Sequence, residues 1–164
     1  MTKKRKKYLI CVLLLFTYPI CYFIAFVCLN GQMQYDFLPC SEIAEGLHEH
    51  VELYGETYDP NNEDHANNRV GMYILDLNHD GITDYVIDGG DLLRGCSGCT
   101  YTILLGDEKG KFKDIGAIYV RDFFFLLPRL TIFGKYPHIF LPDGEGRIIR
   151  YNNGVYDDPG MPIG

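Results

Sequence analysis

The chain has 164 residues, 47% hydrophobic and 14% aromatic, with 13 Tyr, 10 Phe and no Trp. That is enough apolar side chain for one packed core, and it excludes a disordered chain. The formal net charge of −7 is unevenly spread: residues 1–29 hold five of the 15 Lys/Arg and none of the 22 Asp/Glu, so the remainder carries −12, a balance that argues against a nucleic-acid partner and favours a cation or a basic protein.

Residues 3–7 read Lys-Lys-Arg-Lys-Lys, and residues 8–29 follow without a charge. At 1.5 Å per residue the uncharged run reaches about 33 Å, against about 30 Å for a bilayer core. The expectation is a basic cytoplasmic tail over 1–7 and a transmembrane helix or uncleaved signal anchor over 8–29. Pro19 lies inside it, which membrane helices tolerate. By the positive-inside rule the protein is then single-pass in the inner (cytoplasmic) membrane, with its C-terminal domain periplasmic or extracellular. A cleaved signal peptide is the alternative; it wants a shorter apolar region and small residues before the cut.

Residues 30–40 read as a connector. Over 41–54, Ile43, Leu47, Val51 and Tyr54 recur at helical spacing behind Ser41, a plausible N-cap, which predicts a short amphipathic helix weakened by Gly46. Residues 55–68 are turn-rich and read as a loop. Strands are then predicted over 70–75, 85–87, 100–105, 111–120, 130–133, 137–141, 147–151 and 154–156, with a short buried run over 123–127. The fold class expected is α+β, mostly antiparallel β, with an extracytoplasmic domain over 41–156 and a flexible tail over 157–164.

Between the first two of those strands lies Asp76-Leu77-Asn78-His79-Asp80-Gly81-Ile82-Thr83-Asp84. Oxygen-bearing side chains alternate at 76, 78 and 80 and return at 84, and Gly81 permits a tight turn. A hard cation needs several oxygens from one compact segment, so the pattern predicts a structural Ca2+ site. An EF-hand requires a Glu at loop position 12, where this chain has Ile87, and helices on both sides, where this chain has strands. A metal-free Asx-rich turn is the competing reading.

The loop resembles the Asp-x-Asp/Asn-x-Asp-Gly-x-x-Asp segment of FG-GAP and VCBS-type repeats, in which a calcium loop joins two strands. The resemblance covers residues 72–88. It implies side-chain ligands from Asp76, Asn78, Asp80 and Asp84 and a backbone carbonyl from Ile82. Those families build propellers from four to eight copies; this chain has one full copy, so a propeller is not expected.

Cys96-Ser97-Gly98-Cys99 has three readings, a local disulfide, a thiol-redox pair, or half of a zinc site for which no second CxxC or HxxxH exists, and two reduced thiols are the remaining alternative. The disulfide is expected because it suits an oxidising compartment, and the strand rather than helix after Cys99 leaves the redox reading without support. His48 and His50 stand two apart and cannot chelate together from one helix face. Ser41 and Ser97 are the two serines, and no nucleophile elbow, phosphate loop or dinucleotide fingerprint occurs. The functional expectation is a non-enzymatic, calcium-binding module that meets a protein partner, in the manner of an inhibitor or immunity protein. The alternatives are a thiol-redox or small hydrolytic enzyme, and a structural component of an envelope assembly.

Overall fold

A computed structural model of the chain describes residues 3–53, 56–66, 68–88, 99–121, 124–128, 135–142 and 146–158, without the side chains of residues 3–16 and 66. Helix α1 (Lys3–Gly31) is followed by β1 (Gln34–Pro39), two 3-10 turns (Cys40–Glu42 and Glu45–His50), β2 (Glu52–Leu53), β3 (Glu56–Thr57) and the one-turn α2 (Glu63–Ala66). Then come β4 (Arg69–Leu75), β5 (Asp84–Asp88), β6 (Cys99–Gly106), β7 (Phe112–Val120), β8 (Phe125–Leu127), β9 (His138–Leu141), β10 (Arg147–Ile149), β11 (Tyr151–Asn152) and β12 (Val155–Tyr156).

The described strands form a seven-stranded sheet in the order β1-β4-β5-β6-β7-β12-β11, a three-stranded sheet β10-β9-β8, and the small β2-β3 pair. All pairings are antiparallel except β12 on β7, which meet in parallel at Tyr156 and Gly116. The fold is therefore β-rich, as the sequence leads one to expect.

Side-chain alternation sorts the large sheet's two faces into two cores. On one face Leu75, Val86, Tyr101, Ile103, Ile115 and Ile118 pack with Leu126, Ile139, Leu141 and Ile149 of the small sheet and with Leu29 of α1. On the other, Val70, Met72, Ile87 and Leu104 are covered by Cys40, Ile43, Leu47, Val51, Leu53 and Tyr58. The adjacent pair Ile103 and Leu104 thus faces opposite cores, and both are fully buried. The sheet is a middle layer, covered on both sides.

The expected membrane anchor is overturned. Among the described residues no helix is long and apolar enough to cross a membrane. Helix α1 runs from Lys3 to Gly31. Its last turns are also committed to the domain: Leu29 is buried in the core, Phe26 lies 5.8 Å from Phe125, and the Asn30 side chain is bonded to Leu126. The inner-membrane localisation, with a domain outside the cytoplasm, was drawn from that span and falls with it.

The helix expected over 41–54 is corrected too. Ile43, Leu47 and Val51 are buried as their spacing demands, but they hang on 3-10 turns with extended backbone at Ile43 and Val51. Gly46 is pressed so close to the β6–β7 turn that a Cβ there would stand 2.5 Å from the Gly110 carbonyl oxygen. Packing decides the local conformation where helix propensity is weak. Residues 30–40, read as a connector, contain the edge strand β1, which runs antiparallel to β4 over six paired positions.

At the other end, Asp158 lies in the segment expected to fray, yet it is buried. One of its oxygens accepts the Arg147 guanidinium at 2.7 Å and the other the Tyr119 amide at 3.0 Å. Arg147 also donates to the Tyr119 carbonyl at 2.9 Å. This clamp ties β10, β7 and the segment after β12 together. Residues 159–164 and the strand expected over 130–133 lie outside the described residues.

Candidate functional site: the Asp76–Asp84 turn and the adjoining cleft

β4 and β5 pair from Met72–Ile87 to Leu75–Asp84, and the nine-residue segment closes between them. The turn is tight because two residues take positive φ, His79 at 59° and Gly81 at 84°. A β-branched residue would be strained at either place.

The loop's oxygens point inward onto its own amides. Asp76 accepts the Asp80 N–H at 3.1 Å through one carboxylate oxygen and the Gly81 N–H at 2.9 Å through the other. Asn78 Oδ1 accepts the Asp80 N–H at 3.0 Å, and Asp80 Oδ1 accepts the Ile82 N–H at 3.0 Å. The Ile82 amide above all holds the Asp80 carboxyl below the ordinary carboxylate range, with the Asn78 side chain and the Lys135 ammonium adding to it.

Asp84 is placed differently. It is buried, and its two oxygens accept the Leu77 N–H at 2.8 Å and the Gly106 N–H at 2.9 Å. It therefore ties the start of the loop to the end of β6, across the β5–β6 pairing. Gly106 must be glycine or yield: a Cβ there would come within 2.4 Å of the Thr83 carbonyl oxygen. Burial pushes the Asp84 carboxyl above its ordinary value, with the negative charges of Asp80 and Asp76 adding to it.

The donor chemistry fits a hard cation: oxygen only, carboxylates at 76, 80 and 84, an amide oxygen at 78. A positive charge already sits at the mouth, where Lys135 Nζ stands 3.7 Å from Asp80 Oδ2. Among the described residues no group of three or more His, Cys, Asp or Glu side chains converges on one point as a metal would require. In this conformation the loop is closed by its own hydrogen bonds. Asp76, Asn78, Asp80, Asp84 and the Ile82 carbonyl are the residues that would hold an ion.

Beside the loop opens a cleft of about 360 Å³, walled by Asn78 and Asp80 on one side and by the β6–β7 hairpin on the other. Lys111, Lys113 and Lys135 stand around it, over Leu105, Phe112 and Tyr136. Motif reading missed these residues. The signal that could have found them is distribution: after residue 7 the chain has four lysines, 109, 111, 113 and 135, three of which line this one cleft.

Of the two cysteines expected to form a disulfide, Cys99 opens β6, and Cys96 lies outside the described residues, as does the rest of the 89–98 segment. His48 and His50 sit on the second 3-10 turn; the His48 ring meets Tyr58 edge-on at 4.8 Å, and His50 Nε2 is 3.6 Å from Glu49. The site and fold define a β-rich domain built around an Asx-held turn. No protein-family model, no curated protein and no solved structure matches the chain.

Proposed function

We propose that this chain is a calcium-binding, non-enzymatic β-domain that meets a basic protein partner. The observation that carries the metal reading is the turn itself: alternate oxygens at 76, 78 and 80 curl around the amides of 80, 81 and 82, and Asp84 fastens the turn to Gly106. The ion would neutralise three carboxylates that now repel one another, and its binding would stiffen the junction of β4, β5 and β6.

The partner reading is supported by the layer over 40–66. It exposes Glu42, Glu45, Glu49, Glu52, Glu56, Asp59, Glu63 and Asp64, and the sequence has no Lys or Arg between Lys7 and Arg69. Such a one-sign face steers oppositely charged proteins and selects among them.

Thermal unfolding of the full chain in calcium and in chelator tests the first part. A ligand bound only by the folded state raises the midpoint by mass action. A midpoint unchanged by millimolar calcium defeats the metal reading. For the second part, charge reversal at Glu49 and Glu52 should abolish capture of basic proteins from the native source. Capture that survives reversal, or ignores salt, places the contact elsewhere.

A further inference from the structure

We propose that the cleft between the Asp76–Asp84 turn and the β6–β7 hairpin binds a small organic anion, a phosphate or carboxylate attached to a ring. This stands on the cleft's own residues and does not depend on calcium.

The first argument is the concentration of charge. In a chain of net charge −7, the lysines beyond residue 7 are 109, 111, 113 and 135, and three of them converge on one concavity. Lys111 and Lys113 are exposed and, among the described residues, have no carboxylate within salt-bridge distance. Asp107, which also lines the cleft, accepts the amides of Lys109 and Lys111 through Oδ1 at 2.8 and 2.9 Å, and its charge is felt by the Lys111 ammonium. Three ammonium groups around one concavity offer an anion a favourable field, with the carboxylates of Asp80 and Asp107 as its competitors.

The second argument is shape and lining. A volume of about 360 Å³ falls within the range of small-molecule sites, roughly 300–1,000 Å³. Besides its charged groups the lining includes Leu105 and the rings of Phe112 and Tyr136. Tyr136 is fixed by its neighbour Tyr151, ring centroids 4.0 Å apart, and Phe112 by Tyr85 at 5.3 Å. Rigid rings offer a face for a planar ligand body without ordering on binding. Lys135 completes the rim from the opposite side, 5.8 Å from the Tyr136 ring centre. Its bond to Asp80 is long and half-exposed, so it can turn to an incoming anion at little cost.

The test is a nuclear magnetic resonance titration of the full chain, in chelator, with phenyl phosphate, benzoate and inorganic phosphate as probes. Saturable shifts are expected at the amides of Gly106, Phe112, Lys113 and Tyr136, with a dissociation constant at or below about 1 mM. Phenyl phosphate binding more tightly than benzoate assigns a phosphate head, and the reverse order assigns a carboxylate. Inorganic phosphate should bind more weakly than phenyl phosphate, because it leaves the rings uncovered. Lys111→Gln and Lys113→Gln should each weaken binding by about fivefold, while Arg150→Gln, an equal charge change at an exposed site outside the cleft, leaves it unchanged. No saturation by about 10 mM of either ring-bearing probe, or equal weakening by Arg150→Gln and Lys113→Gln, overturns the proposal.

Discussion

Asn30 and Leu126, 96 positions apart, are joined by two hydrogen bonds: the Leu126 N–H donates to Asn30 Oδ1 at 2.9 Å, and Asn30 Nδ2 donates to the Leu126 carbonyl at 3.0 Å. One side-chain amide thus satisfies both backbone groups of a strand residue, as a neighbouring strand would. Its second amide hydrogen goes to the Phe26 carbonyl at 2.8 Å, fixing the side chain to its own helix. Asn30→Ala should therefore lower stability by about 1–3 kcal/mol, measured by denaturant unfolding. Asn30→Asp keeps the acceptor and loses the donor, and should fall between the two. A loss under about 0.5 kcal/mol for the alanine would show that α1 is not anchored there.

Two acids of the turn should separate cleanly. Asp84→Ala orphans the Leu77 and Gly106 amides, so it should cost about 2–4 kcal/mol in chelator as well as in calcium. Asp80→Ala should remove the calcium-dependent rise in midpoint and leave the chelator value nearly unchanged. If both variants behave alike in chelator, Asp84 does not hold β5 to β6 as the hydrogen bonds indicate.

Lys135 competes with any cation for Asp80. Lys135→Gln should then tighten calcium by about twofold to threefold, the small gain reflecting a solvent-screened pair. Isothermal titration reads this directly, and weaker binding in the variant would contradict a competing role.

Stability in chelator should depend on pH in two opposed ways. Asp84 is raised by burial, so the folded state holds its proton more tightly than the unfolded chain does. Its contribution is most favourable below the ordinary carboxylate value of 3.8 and is lost as pH climbs from there through the raised value. Asp107, lowered by the amides of Lys111 and Lys109, contributes stability above 3.8 that is lost on acidification. Asp107→Asn should flatten the acid limb, and Asp84→Asn should remove the decline above it. A midpoint-against-pH series on the three proteins checks both signs.

Gly116 takes φ of 125°, and a Cβ on it would stand 2.1 Å from the Tyr156 carbonyl oxygen. Gly116→Ala should break the parallel contact of β7 with β12 at a cost of about 2–4 kcal/mol. Amide exchange should quicken first at Tyr119, whose partner Asp158 follows β12. A variant as stable as the parent would mean that β12 contributes no closure.

Much of the sheet was legible because alternation is a local signal. Predicted strands over 70–75, 100–105 and 111–120 match β4, β6 and β7 within one residue at each end. The hairpin expected between the strands over 147–151 and 154–156, around Asn152-Asn153, forms with its turn one residue later, at Asn153-Gly154, where both residues take positive φ. The span expected over 8–29 could not show what happens at its end, where Leu29 is buried in the domain and the next residue, Asn30, is bonded to Leu126, a contact 96 positions away. Edge strand β1 was missed because its strand character comes from its pairing with β4, a partner distant in sequence, from Gln34 with Ile74 to Pro39 with Arg69. At the site, the loop's spacing was evident. Asp84's reach to Gly106, 22 positions away, and the meeting of Lys135 with Asp80 depend on tertiary placement that no local pattern encodes.

The strand order has a consequence for how the chain acquires its structure. β4 to β7 are sequence neighbours in a simple meander, whereas β1 waits for β4 and β12 reaches β7 only after the three strands of the small sheet have been threaded past. Contacts between near neighbours form early, because little loop entropy is lost. On a chain emerging from the ribosome, the meander should assemble first, with one face lacking its cover until β8, β9 and β10 arrive. Pulse-labelled exchange should accordingly find Val86 and Ile103 protected before Tyr119. In that interval the exposed face of the meander is where chaperones, or other copies of the chain, would take hold.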